Sequence, residues 1–125
     1  MLDKIRDKKL AIILAETPFH SDKVYQSIKI AEAALCKKYS VSIFLFMDGV
    51  YNLILTQDGK PFKIESVSSR LHKLMDNGAE IYCCRLCKTL RGITDDMISP
   101  RIQVTGISEL NDLISYSDAV ISFTG

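Results

Sequence analysis

The chain has 125 residues, of which 47% are hydrophobic and 25% are charged. These values are typical of one globular domain with a sizeable core, and they exclude a disordered chain. The formal net charge of +1 gives no sign of nucleic-acid or anionic-membrane binding. Neither a signal peptide nor an apolar run of about 20 residues is visible. We therefore expect a cytoplasmic protein with no membrane partner and no direct nucleic-acid partner.

The first half of the chain alternates predicted strands and helices. Residues 1–8 are a polar N-terminal extension, and the apolar run at residues 10–14 is typical of a strand buried on both faces. A long helix capped by Ser21 or Asp22 follows. Its apolar residues recur at helical spacing and are Val24, Ile28, Ala31 and Leu35. The next predicted elements are a strand over residues 40–47 and a short helix over residues 50–55.

The second half continues the same alternation. The predicted elements are helices over residues 64–76, 86–91 and 108–116, and strands over residues 79–83, 101–104 and 119–123. This alternation predicts one α/β domain over residues 1–125, a parallel sheet of about five strands with flanking helices. We expect a flavodoxin-like order in which strands one and three are neighbours. That order would bring the loops at residues 17–21 and 84–87 together at the carboxyl edge of the sheet.

Three of the four cysteines lie in residues 83–87, Cys-Cys-Arg-Leu-Cys, where the third strand turns into a short helix. A thiol at a helix start lies in the partial positive charge of the helix dipole, which favours the thiolate. Arg85, Lys88 and Arg91 add cationic charge nearby. Cys84 is therefore the predicted nucleophile, and Arg85 and Arg91 are candidate substrate-binding residues.

The other cysteines and the first-loop histidine receive lesser roles. Cys87 lies one helical turn after Cys84, so it is an auxiliary residue that could resolve a mixed disulfide or a persulfide. Strand alternation directs Cys83 into the core, and Cys36 is expected to be a simple buried cysteine. His20 could promote the thiolate or shuttle a proton, although a solvated loop histidine is the preferred explanation.

Other interpretations of the cysteine pair remain open. One is that the two cysteines are small buried hydrophobic residues with no chemical role. Structural zinc needs four ligands, whereas the chain has one such pair and would need His20 and His72 to complete the set. In a thioredoxin-like dithiol the pair follows the first strand of its motif, but here it follows the third. No glycine-rich phosphate loop follows the first strand. We therefore expect no metal and no cofactor.

Four segments carry a resemblance to a known family. They are Thr17-Pro18 with the helix end Ala33–Leu35, residues 44–52 (Phe-Leu-Phe-Met-Asp-Gly-Val-Tyr-Asn), Cys84 followed by Leu90-Arg91-Gly92, and residues 106–123. The chain resembles the DsrE/DsrF-like family, which includes the TusD-like sulfur-relay proteins. The Gly-Val-Tyr-Asn turn and the cysteine-to-glycine spacing are the more specific pieces. The chain departs from the family at His20-Ser21, where Tyr-Gly is frequent, and in its three clustered cysteines.

The resemblance implies a DsrE-like α/β sandwich and a sulfur carrier or sulfurtransferase. Cys84 would hold sulfane sulfur as a persulfide and pass it to a partner protein. The implied partners are sulfur donor and acceptor proteins, with a homotrimer, a homohexamer or a hetero-oligomer of related subunits. The alternative is a non-catalytic subunit or binding module, because a fold alone does not settle function.

The sequence also gives a reason of its own to expect an oligomer. The predicted short helix carries more apolar residues than one core-facing stripe requires, and an exposed apolar patch is typical of an interface. These residues are Val50, Tyr51, Leu53, Ile54 and Leu55.

Overall fold

The computed structural model describes residues 8–124. The extension expected over residues 1–8 therefore lies outside the described residues, apart from residue 8. The strands are β1 (Lys9–Leu14), β2 (Ser40–Leu45), β3 (Glu80–Cys84), β4 (Gln103–Thr105) and β5 (Ala119–Phe123). The helices are α1 (Lys23–Cys36), α2 (Val67–Asp76), α3 (Arg85–Leu90) and α4 (Ile107–Tyr116), with 3-10 helices at Met47–Leu53, Lys60–Phe62 and Asp95–Met97. None of the helices within residues 8–124 has the length and apolar character needed to cross a membrane.

The five strands form one parallel sheet in the order β4-β3-β2-β1-β5. This confirms the predicted single α/β domain with a five-stranded parallel sheet and flanking helices. The predicted adjacency of strands one and three is wrong, because β2 lies between them and pairs with both. The chain steps in one direction from β1 to β4 and then returns across the sheet to β5. Right-handed crossovers therefore place α1 and α2 on one face and α4 on the other.

The face under α1 and α2 is the dry core. Parallel register places Ile12, Ile43 and Ile81 side by side, and each is at most 1% exposed. Fully burying one such side chain stabilises the fold by about 1.5–3 kcal/mol. The apolar residues of α2 recur at helical spacing and are all buried, namely Val67, Leu71, Leu74 and Met75. On α1, Val24, Ile28 and Ala31 are buried and Leu35 is partly buried.

The opposite face is covered by α4 and is less complete. Phe44 and Tyr82 stack there with their ring centroids 6.5 Å apart. Burial raises the pKa of the Tyr82 hydroxyl to about 12. Leu110 of α4 is buried, whereas Ile114 and Tyr116 of the same helix are 45% and 74% exposed. This face therefore leaves apolar surface open.

The segment after β2 differs from its prediction. It forms the 3-10 helix Met47–Leu53, in which Val50 and Leu53 are 0% and 2% exposed. Tyr51 and Ile54 are half-buried against the core, and of the apolar residues at 50–55 only Leu55 is exposed. The exposed patch predicted at residues 50–55 is therefore wrong, since most of these side chains cover the domain's own core.

Candidate functional site

The cysteine pair lies where β3 ends and α3 begins. Cys84 is the last residue of β3 and the N-cap of α3, and Cys87 is the third residue of that helix. The side chain of an N-cap residue lies over the third helical residue, so the two thiols are neighbours, and the interaction with Cys84 helps to raise the pKa of Cys87. Both are free thiols, 4% and 6% exposed. The spacing seen in the sequence thus becomes a direct contact between two nearly buried sulfurs.

A backbone donor contacts Cys87. The Met47 N–H donates to Cys87 Sγ over 3.2 Å, and Met47 has a left-handed φ of 52° that few non-glycine residues adopt. Burial, and then the hydrogen bond to Cys84, raise the pKa of Cys87, while the Met47 N–H acts in the opposite direction. Cys87 is therefore held as a neutral thiol that can direct its proton to the sulfur of Cys84.

The two remaining cysteines lie outside this contact. Cys83 is fully buried, in register with Leu45 and Val104, and burial raises the pKa of its thiol to about 12. Its predicted position in the core is confirmed. Cys36, at the end of α1, is exposed, so its expected burial is wrong.

Two of the predicted cations are committed to structural partners. The Lys88 ammonium is buried, 2.9 Å from an oxygen of Asp95 and 3.0 Å from the Ile93 carbonyl oxygen, to which it donates. Arg85 donates to the Val104 carbonyl over 3.1 Å and lines a cavity of about 660 Å³ with Asp95 and other residues near β4. Both groups secure the chain after α3 and are not free positive charges beside the thiols.

Arg91 is the cation that contacts the thiol pair's own helix backbone. Its Nη1 donates to the Cys87 carbonyl over 3.1 Å, and its Nε donates to Asp48 Oδ1 over 2.9 Å. The Asp48 carboxylate raises the pKa of Arg91. Arg91 therefore joins the end of α3 to the loop after β2.

His20 is not opposite the cysteines. Because β2 separates β1 from β3, the segment after β2 lies between the first loop and the thiol pair, and the two loops predicted to meet do not. His20 instead lines a cleft of about 570 Å³ together with Met47, Asp48 and Arg91. The structure thus brings Cys84 and Cys87 together, places His20 and Arg91 on an adjoining cleft, and leaves Arg85 on a different cavity.

Sequence reasoning missed Glu16, which also lines this cleft. Its side chain is 3% exposed and accepts a hydrogen bond from Ser21 Oγ over 2.7 Å. A carboxylate is rarely so buried without a role. The available signal was a charged residue placed directly after the apolar first strand.

The Gly-Val-Tyr-Asn turn has a clear structural task. Asn52 is fully buried, and its Nδ2 donates to the carbonyls of Glu16 and Gly49 over 2.8 Å each. A Cβ on Gly49 would lie 1.9 Å from the Leu14 carbonyl oxygen. Only glycine allows this approach, so the turn locks the ends of β1 and β2 together and sets the position of Met47.

No three or more His, Cys, Asp and Glu side chains within residues 8–124 gather as a group that could hold a metal ion. The zinc interpretation of the cysteine pair therefore has no ligand set in the part of the chain that the structure describes.

Fold and site together define a five-stranded parallel α/β protein with a thiol pair at the carboxyl end of its third strand. The model of the DsrE/DsrF-like family matches residues 8–123, and the chain belongs to this family. Membership associates the chain with sulfur relay in general.

Individual relatives support the fold. An uncharacterized protein from Methanopyrus kandleri is 26% identical over 115 residues, which are 91% of this chain and 93% of the relative. The crystal structure of the ychN protein from E. coli superposes with a TM-score of 0.84 at 21% identity, covering 93% of this chain and 99% of that one. A protein of unknown function from Methanobacterium thermoautotrophicum gives a TM-score of 0.76 at 14% identity, with 94% and 100% covered.

Proposed function

We propose that the protein carries sulfane sulfur as a persulfide on Cys84 and passes it to a partner protein. The observation that carries the proposal is the Cys84–Cys87 pair at the start of α3, with the Met47 N–H donating to Cys87 Sγ. With the Cys87 S–H directed at Cys84, these donors form a chain that stabilises negative charge on the sulfur at its end. The sulfur at its end is Cys84, the position to which the family's active cysteine corresponds.

Loading is a displacement at sulfur. The Cys84 thiolate attacks the outer sulfur of a donor persulfide, so one S–S bond forms to Cys84 and the donor's own S–S bond breaks. The electron pair leaves with the donor thiolate, which takes up a proton. Delivery repeats the step in reverse: an acceptor thiolate attacks the outer sulfur and Cys84 leaves as a thiolate, which the Cys87 proton stabilises.

Cys87 also offers a second outcome. If its thiolate attacks Cys84 Sγ in the persulfide, a Cys84–Cys87 disulfide forms and the outer sulfur leaves as hydrosulfide. The raised pKa of Cys87 keeps the attacking thiolate scarce at neutral pH, which slows this loss. Cys87 thus supports the carrier while it stays protonated and discharges it when it ionises.

Delivery to a protein is supported by the surface around the pair. Met47, Leu86 and Leu90 are 50%, 66% and 73% exposed; Met47 contacts Cys87 through its N–H, and the two leucines lie on the same short helix as Cys87. An apolar rim around a nearly buried sulfur fits a protein acceptor better than free solvent. The sulfur acceptor, in this proposal, docks on these three side chains.

We also propose that the protein assembles as a homotrimer or homohexamer, or with related subunits. The interface predicted at residues 50–55 is not available, but Ile114 and Tyr116 of α4 and Val120 of β5 expose apolar surface. Light scattering at micromolar concentration tests the assembly, and a monomer contradicts it.

Intact-mass measurement tests the carrier role. The reduced protein is incubated with a sulfane donor, freed of excess donor and weighed, and we expect the mass of one added sulfur. Cys84→Ser should lose the addition, whereas Cys36→Ser, at an exposed cysteine outside the pair, should keep it. A wild-type protein that gains no sulfur contradicts the proposal and favours a non-catalytic subunit.

A further inference from the structure

The cleft beside the thiol pair is built from the ends of β1 and β2 and the end of α3. It has a volume of about 570 Å³ and is lined by Glu16, His20, Asp48 and Arg91 among others. This volume lies within the range of small-molecule sites. Met47 lines the cleft and donates its N–H to Cys87 Sγ, so one residue joins the cleft to the pair.

The cleft contains one carboxyl group that lies outside its ion pair. Two carboxylates, of Glu16 and Asp48, face one guanidinium, of Arg91. Asp48 pairs with Arg91 at 2.9 Å, and among residues 8–124 no ion pair involves Glu16, whose recorded partner is the Ser21 hydroxyl. The Glu16 side chain is only 3% exposed. A buried carboxylate is stabilised by a cationic hydrogen-bond donor.

We propose that this cleft binds a small aminothiol persulfide, such as the persulfide of an amino acid, as the sulfur donor. The inference rests on the proposed carrier function and names its donor class. The donor's ammonium group binds Glu16, its carboxylate binds the free N–H groups of Arg91, and its persulfide points past Met47 toward the pair. Inorganic anions such as thiosulfate lack the ammonium that would bind Glu16.

The transfer in the cleft is balanced without any further reactant. The Cys84 thiolate attacks the outer sulfur of the bound persulfide, and a new S–S bond forms on Cys84. The donor's S–S bond breaks, and its electron pair goes to the aminothiol sulfur, which takes up a proton and leaves. The oxidised sulfur moves from donor to protein, so no oxidant or reductant is needed.

The test compares two donors on the full reduced chain. One is cysteine persulfide, and the other is the persulfide of mercaptopropionic acid, which keeps the carboxylate and lacks the amine. We expect the wild-type protein to load at least about tenfold faster from cysteine persulfide, since a charge-assisted hydrogen bond of this kind discriminates by that factor. Glu16→Gln should lose the preference and load from both donors at the slower rate.

Glu32→Gln is the matched control, since it removes an exposed carboxylate of α1 outside the cleft, and it should keep the preference. Equal loading of the wild-type protein from both donors overturns the inference, even if Glu16→Gln fails to fold. A preference that survives in folded Glu16→Gln overturns it as well. If inorganic polysulfide loads Cys84 while the donor preference is absent, the carrier function stands and the inference fails. If no donor loads Cys84, both fail.

Discussion

Cys83 and Cys84 are neighbours in sequence and both are buried, yet they lie in opposite environments. Cys83 points to the face under α1 and α2, between the register neighbours Leu45 and Val104. Cys84 points the other way and meets Cys87, which in turn receives the Met47 N–H. The difference teaches that burial alone makes a thiol unreactive, whereas burial beside hydrogen-bond donors can stabilise its thiolate.

The energetic scale supports this distinction. Burial raises the pKa of Cys83 from an ordinary 9.0 to about 12, and each unit corresponds to about 1.4 kcal/mol against the thiolate. Around the pair, the same loss of water strengthens each hydrogen bond between donor and sulfur. Because successive side chains of β3 point to opposite faces of the sheet, its last two residues are a core cysteine, Cys83, and a candidate reactive cysteine, Cys84.

Alkylation rates should show the largest effect. Because burial raises the pKa of Cys83 to about 12, its thiolate is about a thousandfold scarcer at neutral pH than that of an ordinary cysteine. We expect Cys84 to react faster than the exposed Cys36, and Cys83 not to react in the folded protein. Peptide mass mapping after timed alkylation measures all of these rates. A Cys84 that reacts no faster than Cys36 near neutral pH would contradict the activated-thiol hypothesis.

Gly49→Ala should displace the segment that carries Met47 and leave the surroundings of Cys83 unchanged. Its Cβ would meet the Leu14 carbonyl oxygen at 1.9 Å, and a clash with backbone cannot relax by side-chain rotation. We expect a loss of unfolding free energy of about 3 kcal/mol or more, measured by denaturant titration.

Gly92→Ala is the matched control for this substitution. Gly92 has a φ of 73° with no heavy atom near its would-be Cβ, so only backbone strain applies and a cost of about 1 kcal/mol is expected. Equal losses for the two variants would show that Gly49 does not hold the segment against β1.

Much of the fold was predictable because it depends on local pattern. The apolar run of β1 and the helical spacing on α1 each specify an element from its own residues. Boundaries shifted where a cap decided them: α2 begins at Val67, because Ser66 Oγ accepts the Ser69 N–H. Strand order was not predictable, because the predicted and the observed order satisfy the same alternation and handedness.

The site was predictable only in part for the same reason. The Cys84–Cys87 contact follows from helical spacing within one turn. The partners of the pair come from elsewhere in the chain: Met47 reaches Cys87 across a separation of 40 residues, and Glu16 enters the cleft through the order of the strands. Since the predicted order placed strand three beside strand one, His20 was assigned to the thiols and Met47 was overlooked.

The pH dependence of the unfolding free energy tests whether the buried Cys83 thiol stays protonated. The unfolded Cys83 thiol ionises near its ordinary pKa of 9.0, whereas the folded thiol keeps its proton until about pH 12. The unfolded state therefore binds fewer protons in this window, and the unfolding free energy falls as pH rises through it. From about pH 8 to about pH 10 we expect a loss of about 1 kcal/mol, measured by denaturant unfolding.

Cys83→Ala should reduce this slope, although the lost packing lowers its stability at every pH. Cys36→Ser, which alters an exposed thiol, should leave the slope unchanged. An identical slope in Cys83→Ala would assign the pH dependence to other groups and remove the evidence that Cys83 stays protonated.

The smallest expected effect concerns Cys87. Cys87→Ser keeps an acceptor for the Met47 N–H and a hydroxyl donor toward Cys84, but it cannot form a disulfide. We expect sulfur loading within a few-fold of the wild-type rate, since one neutral donor replaces another at a cost of about 1 kcal/mol or less. The loaded form should last longer, because the release of hydrosulfide by Cys87 is removed, and intact mass against time measures both quantities.

Cys87→Ala, which removes the donor as well, should load more slowly than Cys87→Ser while showing the same long lifetime. A complete loss of loading in folded Cys87→Ser would instead make Cys87 the sulfur acceptor and reverse the roles of the two thiols.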